Sequence, residues 1–174
     1  GAYLSSLAAK AEAVGILVMR NGVVQNNTHR PLSVEEFRGF AISDELVPLI
    51  FINGRDAKAA QVFTFAHELA HIWFGASGIT NLNYRQKASE QPIEVEKAGD
   101  MVAAEVLMPE PAFQARWSTA KPIEVRLQEL AKYFRVSSIA VLRRAFELDK
   151  MDRQIFWKHY DDEVSKQTPV AGGG

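Results

Sequence analysis

Two histidines and a glutamate stand at a spacing that permits metal chemistry: Phe65-Ala66-His67-Glu68-Leu69-Ala70-His71 contains His-Glu-x-x-His. Residues four apart on a helix share a face, so both imidazoles can point at one ion. Glu68 is rotated about 100° from His67, beside such an ion rather than on it. A base must stand there to take a proton from a water that the metal activates. Zinc with three protein ligands keeps a fourth place for water and lowers its pKa to about 7. Ligand, base and ligand on one helix therefore read as a hydrolytic zinc site. The bland alternative is a pair of histidines satisfied inside a core. The intervening glutamate, on a helix that follows an apolar strand, weighs against it.

Such a site needs a third ligand. The chain has no cysteine, which excludes thiolate sites and disulfides and leaves His, Asp or Glu. The other histidines are His29, in a turn-rich stretch, and His159. Downstream runs Glu94-Val95-Glu96-Lys97-Ala98-Gly99-Asp100-Met101-Val102-Ala103-Ala104-Glu105. On a helix Glu96 and Asp100 share a face and Glu105 falls on the opposite side. Small residues at Ala98, Gly99, Ala103 and Ala104 would let this helix approach the one bearing His67 and His71. Spacing alone leaves Glu96 open against Glu94, Glu105 and Glu90. With Glu96 as ligand, Asp100 would accept a hydrogen bond from a ligand histidine and fix its tautomer. Two imidazoles and a carboxylate suit Zn2+, and also Mn2+ or another divalent ion.

The elements that must position these groups follow from periodicity. Ala2–Val14 reads as a helix stopped by Gly15, and Ile16–Val18 as a short strand. Val23–Pro31 reads as a loop, Phe37–Ile42 as a second strand, and Val47–Ile52 as a third closed by Asn53-Gly54. Ala57–Phe74 is helical with Gly75 as its C-terminal stop. Ser77–Glu90 carries no period and reads as a loop. Pro92–Met108, Pro122–Phe134, Ser138–Leu148 and Met151–Tyr160 read as helices, with Ser137 or Ser138 as a cap. Strands first and helices after imply an α+β fold. Residues 1–165 are expected to form a single domain, with a sheet-bearing core over 2–112, C-terminal helices over 120–165 and a flexible tail over 166–174.

A formal net charge of −1 over 174 residues argues against binding nucleic acid through a broad basic surface. No signal peptide or membrane span is visible, so a cytoplasmic protein is expected.

The strand Pro48–Asn53, the segment Phe63-Thr-Phe-Ala-His-Glu-Leu-Ala-His71 and Glu96-x-x-Gly-Asp-x-Val-Ala-Ala-Glu-Val-Leu-Met-Pro109 together resemble the ImmA/IrrE metallopeptidases. These are bacterial and phage gluzincins that cut or regulate transcriptional repressors. The resemblance runs from about Leu4 to Leu148. It implies a zincin-type helical core packed on a small antiparallel or mixed sheet, with a C-terminal helical bundle. It implies His67, His71 and Glu96 as zinc ligands, Glu68 as general base and Asp100 as their support. Gly99 stands where the family commonly has Ala, and Val102 where Phe is usual. The implied function is a zinc-dependent endopeptidase of narrow specificity acting on a repressor or helix-turn-helix regulator, with no membrane partner. The rival is a zinc-binding regulatory or sensor domain that cuts little.

Two further expectations concern substrate handling. Val47–Ile52 offers a strand edge to an extended peptide, with core packing as the competing reading. An oxyanion-stabilising group should exist, for which His159, Tyr133, Tyr160 and Arg144 are candidates that no motif separates. Leu130–Arg144 has the spacing of a helix-turn-helix, and Arg143 and Arg144 would suit phosphate contact. An arginine pair more often marks a solvated face, so direct DNA binding is not expected.

Overall fold

Residues 2–25, 27–80 and 93–167 are described by the computed structural model. The strands all lie in the first half of the chain and only helices follow β6 among the described residues, so the fold is α+β as the order of periodic segments implied. The elements divide into two compact units, one ending at Val106 and the other starting at Leu107.

The first unit holds α1 (Ala2–Glu12), β1 (Leu17–Asn21), β2 (Val23–Val24), β3 (Asn27–Pro31), β4 (Gly39–Ile42), β5 (Leu49–Asn53), α2 (Lys58–Trp73) and β6 (Gly78–Thr80). Most of α3 (Ile93–Leu107) belongs to it as well. Its main sheet is mixed, in the order β1-β5-β4-β6. β1 runs parallel to β5 with Leu17 opposite Leu49, and β4 is antiparallel to both β5 and β6. Side chains alternate across a strand. Ile50 and Ile52, both essentially inaccessible, therefore lie on the same face as Ala41 and Gly39, the face that α2 covers. The opposite face carries Phe40 stacked on Phe51 at 5.0 Å.

Two expectations are corrected by the strand pairing. Val47–Ile52 offers no edge, because β5 is hydrogen-bonded to β1 on one side and β4 on the other. Val23–Pro31 is not a loop: β2 and β3 pair as a small antiparallel ladder. Every residue of β3 is exposed, so no apolar alternation could reveal it.

The join between β5 and α2 is tied by buried amides. Asn53 donates to the carbonyls of Ser33 (3.1 Å) and Phe37 (3.0 Å) and accepts from the Arg55 amide. Gln61, on the first turns of α2, donates to Gly54 and Asp56 carbonyls. At the other end Gly75 adopts φ +66°, and the Ala76 amide closes back on the His71 carbonyl at 3.0 Å, with Gly75 on Ile72. This is a glycine-terminated helix end that satisfies the last carbonyls. The phase of α2 is thus set at both ends.

The second unit contains α4 (Glu110–Gln114), α5 (Ile123–Phe134), α6 (Ser138–Glu147) and α7 (Arg153–Gln167). Phe113, Leu127, Leu130, Val141, Leu142, Ala145 and Phe156 form its core. Arg135 takes a left-handed conformation after α5, and Ser137 caps α6 by accepting from the Ala140 amide at 3.1 Å. α7 extends past the expected end at Tyr160, and α4 was not expected. The expected loop falls partly, and the expected tail almost wholly, outside the described residues.

Candidate metal centre

α2 is buried around nearly its whole girth, which is unusual for a helix carrying ionisable groups. His67, Glu68 and His71 are all fully buried. One turn apart, the two imidazoles present their Nε2 atoms to the same point, 2.9 Å from each other. α3 delivers Glu96 to that point, with Oε2 3.4 Å from His67 Nε2 and Oε1 3.3 Å from His71 Nε2. One ligand atom from each of the three residues lies within 4.8 Å of the other two. Asp100 sits one turn further along α3 and accepts from His67 Nδ1 at 3.0 Å.

The spacing of small residues on α3 makes this approach possible. A Cβ on Gly99 would stand 3.0 Å from His67 Cε1 and 3.3 Å from both ring nitrogens. The backbone of α3 therefore lies flat against the imidazole. Ala103 and Ala104 are buried further along the same helix. Of the rival carboxylates, Glu94 and Glu105 are exposed, and Glu90 lies outside the described residues.

On the other side of α2, β4 approaches just as closely. A Cβ on Gly39 would fall 2.6 Å from Thr64 Cγ2, 2.9 Å from the Phe51 carbonyl and 3.1 Å from Glu68 Oε1. Gly39 thus leaves the space that the Glu68 carboxylate borders. Sequence reasoning missed this residue. The available signal was a lone glycine at the start of an apolar strand, which marks a close backbone approach.

The electrostatics favour a cation. Burial alone pushes the His67 imidazole down, but its hydrogen bonds to Asp100 and Glu96 outweigh that and hold it up at about 9. Burial pushes the Glu96 carboxyl up, yet the bonds to His67 and His71 bring it down to about 2. The cluster thus draws positive charge to the point between the two Nε2 atoms. Asp100 keeps the proton of neutral His67 on Nδ1, which leaves Nε2 free to coordinate. Two imidazole nitrogens and a carboxylate oxygen form a donor set that fits zinc and several other divalent ions.

The model of the IrrE N-terminal-like domain, a peptidase family, matches residues 11–146. The chain belongs to this IrrE-like peptidase family. The match takes in the sheet, α2, α3 and nearly all of α6. No curated protein matches the chain. Membership of the IrrE-like family agrees with the sequence resemblance and points to a metallopeptidase.

The remaining candidates lie in the second unit. Arg144 is buried, and its Nε donates to the Met108 carbonyl at 3.2 Å. That corrects its reading as a phosphate contact, since a solvent-facing group is needed there. Tyr133 is exposed beneath the Arg116 guanidinium, 3.9 Å from its ring centroid. His159 Nδ1 stands 3.7 Å from Glu124 and lies beyond the matched span, as does Tyr160. No helix among the described residues is long and apolar enough to cross a membrane.

Proposed function

We propose that this protein is a zinc-dependent endopeptidase of narrow specificity whose substrate is a repressor or helix-turn-helix regulator. The observation that carries the reading is the convergence of His67, His71 and Glu96 on one point, with Asp100 bonded behind His67. These three residues would hold the ion. Zinc, when bound, supplies Lewis acidity that polarises a carbonyl and makes a nearby water a better nucleophile at neutral pH.

The chain's own residues supply the rest. Glu68 acts as general base toward the attacking water and then returns the proton to the leaving amine nitrogen. Gly39 keeps the space beside the Glu68 carboxylate clear, and Asp100 holds the tautomer of His67. Since β5 is interior, an extended peptide would have to add at β1 or β6, each of which pairs with a single strand among the described residues. The family match spans parts of both units, which supports reading residues 1–165 as one metallopeptidase domain. The narrow substrate class follows from the resemblance to repressor-directed relatives, and a cytoplasmic setting goes with it.

Metal content and cleavage, measured together on three proteins, test the mechanism. Glu68→Gln should keep its ion while cleavage of a cognate regulator falls by about 10²–10⁴-fold. Glu96→Ala should lose affinity for the ion. If Glu68→Gln cut as fast as wild type, the assigned base would be wrong. A metal-replete wild type that cleaved no candidate regulator would favour the sensor reading instead.

A further inference from the structure

The second unit contains a pocket of ≈ 240 Å³ that the peptidase reading does not use. One wall is a single face of α5, from which Arg126, Glu129, Leu130 and Tyr133 project at one-turn spacing. The connection before α5 supplies the other wall, with Arg116, Ser118 and Lys121. Three cations face one carboxylate (3 − 1), so the lining carries +2, although the whole chain carries −1. Such a concentration of one sign in a concave site selects an anion.

The arginines are held in place. The Arg116 guanidinium lies 3.9 Å from the Tyr133 ring centroid, and that of Arg126 lies 4.6 Å from the Trp117 ring centroid. Stacking of this kind fixes the planar fork before any ligand arrives and leaves its edge N–H groups to donate. Arg126 Nε is buried and has no hydrogen-bond partner among the described residues. A charged donor left unmet in this way is costly unless an acceptor comes to it. Lys121 now pairs with Glu129 at 2.7 Å, but both side chains are half exposed, and an exchange of partners there costs little.

We propose that this pocket binds the phosphate group of a small phosphorylated molecule. A lining charge of +2 matches a phosphate dianion better than a single carboxylate, and arginine forks suit its oxygens. The volume is below the ~300–1,000 Å³ of drug-sized sites, so a phosphate with a short stem fits and a nucleotide does not. The Ser118 hydroxyl adds a neutral donor, and Leu130 gives the stem an apolar floor.

Calorimetric titration of the full chain with glycerol phosphate, inorganic phosphate, acetate and chloride at constant ionic strength tests this. Glycerol phosphate should bind saturably and at least as tightly as inorganic phosphate, with acetate and chloride far weaker. Arg126→Gln and Lys121→Gln should each weaken it about tenfold, while Arg153→Gln, an exposed charge on α7, should leave it unchanged. Arg116 is itself exposed, so Arg116→Gln should weaken binding likewise and replaces Arg126→Gln should that variant fail to fold. Acetate binding as well as phosphate, inorganic phosphate binding the more tightly, or wild-type affinity in these variants would overturn the assignment. Loss of binding in Glu96→Ala would place the phosphate on the metal group and overturn it too.

Discussion

α2 and α6 are both buried helices, but they spend their interiors differently. Of the ten buried residues of α2, five are polar: Gln61, Thr64, His67, Glu68 and His71. Of the five on α6, only Arg144 is polar, and its Nε donates to a backbone carbonyl. On α2, Thr64 Oγ1 and His71 Nδ1 are buried with no partner among the described residues. A buried polar atom left unmet costs about 1–3 kcal/mol. α6 is a packing element whose polar exception is satisfied. α2 gives up some stability to hold ionisable groups in fixed positions around one point, which is the expected trade at a reactive site.

Three experiments bear on that contrast. The largest effect should come from α6: Leu142→Ala, at a fully buried position, should cost about 2–5 kcal/mol of unfolding free energy. Its folded fraction should bind metal as wild type does. Loss of metal affinity in the folded protein would mean that the two helices do not divide their tasks in this way. Asp100→Ala comes next. It should lower metal affinity about 10–100-fold, with little change in thermal unfolding of the metal-free protein. A large drop in that melting temperature would make Asp100 a structural residue first.

The smallest effect is a proton count. His67 rises to about 9 in the folded protein, so near pH 7 the metal-free site carries a proton there that an ion must displace. Calorimetry in two buffers of different ionisation enthalpy should show about one proton released per ion, and Asp100→Ala should reduce that number. The same shifts set the pH dependence of the metal-free fold. The contribution from His67 is complete below its ordinary value of 6.5 and is lost as pH rises through about 9. That from Glu96 is complete above 4.5 and is lost as pH falls through about 2. Stability of the metal-free protein should therefore hold between these limits and decline on both sides, with added metal supporting the alkaline limb.

Much of α2 was legible because its information is local. The i, i+4 histidines, the turn at Asn53-Gly54 and the stop at Gly75 all sit within a few residues of what they control. The choice of Glu96 over its neighbours needed the family resemblance, because helical phase cannot say which face of α3 meets α2. In the structure the answer is physical: Gly99 opens the face that bears Glu96 and Asp100. β5 could not be placed as an interior strand, since its second partner, β1, comes from a segment distant in sequence, with Leu17 opposite Leu49. Arg144 was readable and misread. It stands three residues after Val141 and four after Ala140, on the apolar face of α6, whereas Arg143 does not.

The way α2 ends also ties the site to local unfolding. The carbonyl of His71 accepts the Ala76 amide that closes the turn at Gly75, so the last turn of the helix also carries one of the two imidazoles proposed to hold the ion. Fraying of that turn and departure of an ion would then be a single event. The dwell time of the metal becomes a property of one glycine-closed helix terminus, and hydrogen exchange at the Ala76 amide would keep time with it.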